Sequence, residues 1–204
     1  MFGRKNPPKK QQLKLEMDSH ISLNLIDVAH IELHPSFIRP DGLFFIQALG
    51  TVESTGGHDF FNVYAENNGN FYLIEIEAKE HSIESLALYQ NALTLMPNEE
   101  EWKDLLKEMS SLEMGLDEIY YKRALGGAAK RIDLCKINEH IKTNEGEEVD
   151  CENQTMIFER VIEPFGFTER LKVTAEVIEA REEAVVSFYV GFNLHPTAIT
   201  ILGN

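Results

Sequence analysis

Cysteine is scarce in this chain, two residues in 204. Cys135 and Cys151 form no C-x-x-C pair, so neither a disulfide framework nor a thiol redox motif is expected, and both thiols should be free. Long apolar runs are missing too. No stretch reaches the roughly 18 consecutive apolar residues that a membrane-spanning helix needs, and the first residues lack the apolar core of a signal peptide. A cytoplasmic protein without membrane insertion is the expectation. Cations are outnumbered, 19 Lys and Arg against 34 Asp and Glu, for a net charge of -15. Nucleic acid is therefore not an expected partner, because phosphate neutralisation needs clustered cations. Five of the cations, Arg4, Lys5, Lys9, Lys10 and Lys14, precede the first acid, Glu16. That basic start, residues 1–14, reads as a disordered, solvated tail.

The usual catalytic signatures are also absent. There is no G-x-x-x-x-G-K-[ST], no G-x-S-x-G, no H-E-x-x-H and no G-x-G-x-x-G opening a helix. No catalytic residue and no cofactor are expected. His30 and His34 are the nearest approach to a metal pair, but the local pattern is strand-like, and in an extended chain they would lie roughly 13 Å apart. No metal site is expected there. Gly56-Gly57-His58-Asp59 reads as a plain turn, and Gly126-Gly127 before Lys130 and Arg131 as a mobile connection rather than an anion cradle.

Apolar residues make up 43% of the chain, enough for a substantial core. The clearest local structure is residues 60–77. Asn68-Gly69 between two alternating runs predicts a hairpin with a type I′ turn, because Asn and Gly best tolerate positive φ at both central positions. Pairing Asn67 with Asn70 puts Phe61, Val63 and Ala65 opposite Ile76, Ile74 and Tyr72 on an apolar face. The other face mixes Phe60, Tyr64 and Leu73 with Asn62, Glu75 and Glu77, as would a sheet covered by the chain's second half or by a partner. Strands are also predicted around Ile21–Leu25, Ile31–Leu33 and residues 43–53. A second hairpin pairs the alternation Leu171, Val173, Ala175, Val177 with Ala184, Val186, Phe188, Val190. Residues 83–88 fit a short helical turn or loop, and residues 144–152, rich in acids, fit a solvated loop.

One helix stands out. Asn98 can cap, Glu99–Glu101 suit the positive end of a helix dipole, and Trp102, Leu105, Leu106 and Met109 fall at helical spacing, with Gly115 as the stop. The expected fold is α+β: a mostly antiparallel sheet in two halves around one main helix near residues 98–109. The domain reading is a tail over 1–14 and a single domain over 15–204, with halves at about 15–115 and 116–204. A shift of 37 residues lays Tyr121 on Phe158, Arg123 on Arg160 and Glu139 on Glu176, a faint echo between the halves.

Arg123 and Arg160 are the candidate ligand-binding residues, together with Tyr121. Each Arg follows an aromatic by two residues and shares its strand face, where a guanidinium is costly unless paired. Glu139 and Glu176 are the expected partners, and a ligand-binding role is the alternative. The run FIQALGTVES, the aromatic strand pair with its Asn67–Gly69 turn, Pro97 with Trp102, Tyr121 with Arg123, Phe158 with Arg160, and Val190-Gly191-Phe192 together resemble the YjfK-like family of bacterial proteins of unknown function. That resemblance implies an accessory role beside phage-shock-like coiled-coil proteins, small membrane proteins and ATP-grasp amine ligases, in an envelope-stress or peptide-modification system. It carries no catalytic residue. The expected function is a non-enzymatic interaction protein with a protein partner; the alternative is a small-ligand or substrate-binding component using Arg123, Arg160 and nearby loops.

Overall fold

The computed structural model describes residues 15–53, 57–80, 82–178 and 183–203. The basic tail lies outside the described residues. In chain order the elements are β1 (His20–Leu23), β2 (Leu43–Val52), β3 (Asp59–Asn67), β4 (Asn70–Lys79), β5 (Ser82–Leu95), α1 (Glu99–Met109), β6 (Glu113–Leu116), β7 (Ile119–Arg123), β8 (Cys135–Thr143), β9 (Glu148–Ile162), β10 (Phe167–Ile178), β11 (Glu183–Leu194) and β12 (Ile199–Leu202).

The β3–β4 hairpin has the predicted register, from Asn67↔Asn70 through Val63↔Ile74 to Phe60↔Glu77. Asn68 and Gly69 take φ of 51° and 78°, as a type I′ turn requires. The second hairpin also pairs as read, with Leu171↔Val190, Val173↔Phe188 and Val177↔Ala184. Helix α1 carries the capping box that its sequence announces. Asn98 Oδ1 accepts from the Glu100 and Glu101 amides at 3.0 and 3.1 Å, and the Glu101 carboxylate accepts from the Asn98 amide at 2.9 Å. The helix ends at Met109, before Gly115, which lies in β6.

The α+β expectation is overturned. The chain is 59% strand and 9% helical, and eight strands close into a barrel. Going round it, the order is β2, β3, β4, β5, β11, β10, β9, β8 and back to β2. Two pairings make the closure. β5 runs beside β11, joining the early strands to the late ones, and β8 bonds to β2 on one side and β9 on the other. Two separate sheet halves would leave four unpaired edges, whereas the closed ring leaves none. Outside the ring, β12 and β1 extend from β2, and β6 and β7 from β9.

Several local readings change with it. Residues 83–88 belong to the 14-residue strand β5. They show no alternation because both faces are buried, Leu86 and Leu88 on one and Ala87 and Tyr89 on the other. Acid-rich residues 148–152 are the start of β9, not loop. Ile31–Leu33 is not a strand. It belongs to an irregular passage between β1 and β2, in which Val28, Ile31 and Phe37 are buried in the main apolar cluster.

That main cluster lies on the outer wall of the ring. Val63, Ile74, Leu88, Val173 and Phe188 point outward into it, where the passage before β2, helix α1 and the β6–β7 arm cover them. Phe37 packs on Phe192 and Tyr72, and the Tyr72 hydroxyl donates to the Ile38 carbonyl at 2.8 Å. Among the described residues no helix is long and apolar enough to cross a membrane.

Candidate functional site

Strand alternation sends the other residue set into the barrel. Asn62 and Tyr64 on β3, Leu73 on β4, Glu139 on β8, Asn153 and Thr155 on β9, Lys172, Thr174 and Glu176 on β10, and Ser187 and Tyr189 on β11 line one cavity of about 130 Å³. Small eight-stranded barrels fill this space with side chains or hold one small ligand. Leu73, Ile137, Ile141 and Val185 are the apolar members of a lining that is otherwise polar, and Leu73 packs with Ala87 and Tyr89 in a small apolar cluster that Tyr64 and Tyr189 flank.

Lys172 is 3% exposed and forms an ion pair with Glu75. The pair spans the lumen, because β10 and β4 are separated in the ring by β11 and β5. Arg170, one lumen position earlier on β10, bonds to Glu159 at 2.8 Å and to Asn193 at 2.5 Å. The cations of the chamber are thereby matched by carboxylates.

Glu139 and Glu176 have no such match; no ion pair reaches either one among the described residues. Glu139 is 3% exposed. It accepts from the Tyr64 hydroxyl at 3.0 and 3.1 Å and from Asn153 Nδ2 at 3.2 Å. Burial raises its pKa; the Asn62 and Tyr64 hydrogen bonds and the Lys172 charge pull the other way, and the Glu176 charge adds to the rise. Burial also raises the pKa of Glu176, against a hydrogen bond from the Cys151 thiol. The Tyr64 phenol is pushed far up by burial and the Glu139 charge, so it serves as a donor and does not ionise. Gly50 makes room for this group, since a Cβ there would stand 1.7 Å from Glu139 Oε1.

Thr155 is 4% exposed, and its Oγ1, inside the same lining, has no hydrogen-bond partner. Beyond the chamber lies a groove of about 870 Å³, bounded by Trp102 of α1 and by Glu53, His140, Asp150 and Glu152. Glu139 and Glu176 line both spaces, so they stand where the chamber meets the groove.

The residues singled out from sequence lie elsewhere. Tyr121 and Arg160 meet around Glu169 on the outer wall. Glu169 is fully buried and accepts from the Tyr121 hydroxyl at 2.8 Å, from Arg160 Nε at 2.5 Å and from the His34 amide at 2.6 Å. Arg160 also stacks 5.5 Å from the Tyr121 ring centre. Arg123 stands apart from this trio. Its guanidinium donates to the carbonyls of Leu125, Ser110, Ser111 and Ala129, tying down the loop that contains Gly126 and Gly127. Arg160 is paired, but with Glu169 rather than Glu176. Glu139 serves the chamber and not Arg123. His34 is buried against the Leu116 carbonyl, exposed His30 packs on Phe165, and no cluster of three or more metal-ligating side chains occurs among the described residues. His58 Nδ1 lies 2.7 Å from Glu77 Oε1.

The chamber escaped sequence reasoning because its residues are spread at alternate positions over six strands. The mixed face of the first hairpin, Asn62, Tyr64 and Glu75, was the one local sign of a polar interior. Fold and site together define an antiparallel β-barrel protein with a polar, carboxylate-bearing chamber and part of its outer wall covered by its own chain. The chain belongs to the family described as "Protein of unknown function (DUF2491)", whose model matches residues 1–200. No curated protein and no solved structure matches it.

Proposed function

We propose that the protein binds a small polar molecule inside the barrel. The observation that carries this reading is a lumen that is hollow and lined mostly by polar side chains, with a buried hydroxyl, Thr155 Oγ1, left without a partner. A purely structural interior would be expected to be filled with apolar side chains, because burying polar groups costs free energy unless each is bonded. The volume limits the ligand to about the size of benzene, which occupies a cavity of roughly 150 Å³. The alternative assignment of ligand binding to Arg123 and Arg160 is less favoured, since both guanidinium groups are engaged within the chain.

Thermal melting against a library of small polar metabolites tests the proposal. A ligand at a hundred times its Kd stabilises by about 2.7 kcal/mol, or about 5–10 °C in a chain of this size. Ser187→Leu, which fills the chamber, should abolish the shift. Failure of every compound to move the wild-type melting temperature would overturn the reading.

A protein partner is a second reading, favoured by exposed Phe45 and Phe71, which the β2–β3–β4 register places on one face either side of Glu66. The cytoplasmic setting, the likeness to YjfK-like proteins and the accessory role in envelope stress or peptide modification belong to this proposal as its wider context.

A further inference from the structure

We infer that the chamber takes a small organic cation, a primary amine or its equivalent, with its ammonium group between Glu139, Glu176 and Thr155. This rests on the chamber being a ligand site.

Charge is unevenly spread along the lumen. On β10 the inward positions run Arg170, Lys172, Thr174, Glu176. The two cations at one end are each held by a carboxylate, Glu159 and Glu75. At the other end Glu139 and Glu176 face the same space, where the Glu176 charge acts on Glu139 against that of Lys172, and neither carboxylate has an ion-pair partner among the described residues. Two carboxylates facing one buried space, with the nearest cation, Lys172, already held by Glu75, are costly, and an entering cation relieves that cost. An anionic ligand would add to it.

Three further features suit an ammonium group. It has three N–H donors, and the lining offers two carboxylates and the unpartnered Thr155 Oγ1, an acceptor with no donor from the protein. The rings of Tyr64 and Tyr189 border the same space and supply π faces that attract cations. The approach is acidic as well, since the groove outside carries Glu53, Asp150 and Glu152; His140 pairs with Asp150 and Lys136 with Glu152, and Glu53 accepts from the neutral Asn138. A cleft lined mostly by one sign of charge concentrates the opposite ion at its mouth.

Calorimetric titration of the full chain with n-butylamine, 1-butanol and butyrate, four-carbon compounds that differ in head group, tests the inference. The amine should bind in or below the millimolar range, and each of the others at least tenfold more weakly. Glu139→Gln and Glu176→Gln keep the side-chain shape, and each should weaken amine binding at least tenfold while the far-UV circular dichroism stays unchanged. Glu176 is the less buried of the two, so its variant gives a result even if the Glu139 variant fails to fold. Equal or tighter binding of 1-butanol or butyrate would overturn the cation inference and leave the chamber standing as a ligand site. Amine binding unaffected by Glu176→Gln would do the same. If no library compound and none of the three probes binds, both readings fall.

Discussion

Replacing Arg160 with methionine isolates the contact that pins the outer arms to the barrel. Glu169 on β10 is fully buried, and its three donors come from Arg160 on β9, Tyr121 on β7 and His34 in the passage before β2. Methionine preserves the stem and removes the charge. Glu169 then keeps two neutral donors and loses its counter-ion. Breaking a buried pair from one side costs about 3–5 kcal/mol. Arg160 is 25% exposed, and water screens it accordingly, so the expected loss is nearer 2–3 kcal/mol. In urea unfolding, with an m value of about 2–3 kcal/mol/M, the midpoint should fall by about 1 M with the slope unchanged. Adding Glu169→Gln to Arg160→Met should recover at least half of that, because the stranded charge is then gone. An Arg160→Met midpoint within experimental error of wild type would refute the reasoning, and so would a double variant no better than the single one.

Other consequences can be checked as directly. Gly50→Ala would drive its methyl group into Glu139 Oε1 and break the bonds from Tyr64 and Asn153; a loss of about 1–3 kcal/mol should appear in thermal melts. Glu139 and Glu176 have pKa values raised in the folded state, so each favours folding while protonated, and that contribution is lost as pH rises above the unfolded value of about 4.3 and through the folded one. The stability of Glu139→Gln relative to wild type should therefore increase from pH 4 to pH 8, and a flat difference would refute the burial of that charge. Burial, helped by the Glu176 and Glu139 charges, pushes the Cys151 thiol up to about 12, while Cys135 is exposed. Iodoacetamide at pH 8 should label Cys135 first and Cys151 far more slowly, as peptide mass mapping over time would reveal.

The parts of this protein that were legible in the sequence are those decided by neighbouring residues. Asn68-Gly69 sets a hairpin register because the turn demands positive φ at two adjacent positions. Asn98 with Glu101 starts a helix because the capping bonds span three residues. Alternation over residues 171–177 and 184–190 marks a strand pair because one side of each strand meets the apolar layer. Even here there were local failures: the β6–β7 turn uses Asp117 and Glu118 at φ of 47° and 65°, a conformation their identities do not advertise.

Closure and chamber were decided only in three dimensions. β5 lost its alternation because both of its faces are covered, one by the outer apolar layer and one by the lumen. The bonds that shut the ring join residues 48–52 to 139–143 and residues 86–95 to 186–194, separations over which no local preference acts. Glu139 and Glu176 looked like partners for Arg123 and Arg160 because they recur at the same offset. The fold instead turns both arginines to the outer wall and both acids inward, since strand parity and barrel closure assign each side chain its face. By itself the sequence determined the turns, the helix cap and the two hairpin registers, which need only contacts between near neighbours. The tertiary structure alone decided that the mixed face of the first hairpin becomes the wall of a closed polar chamber, because that face is completed by strands from the other end of the chain.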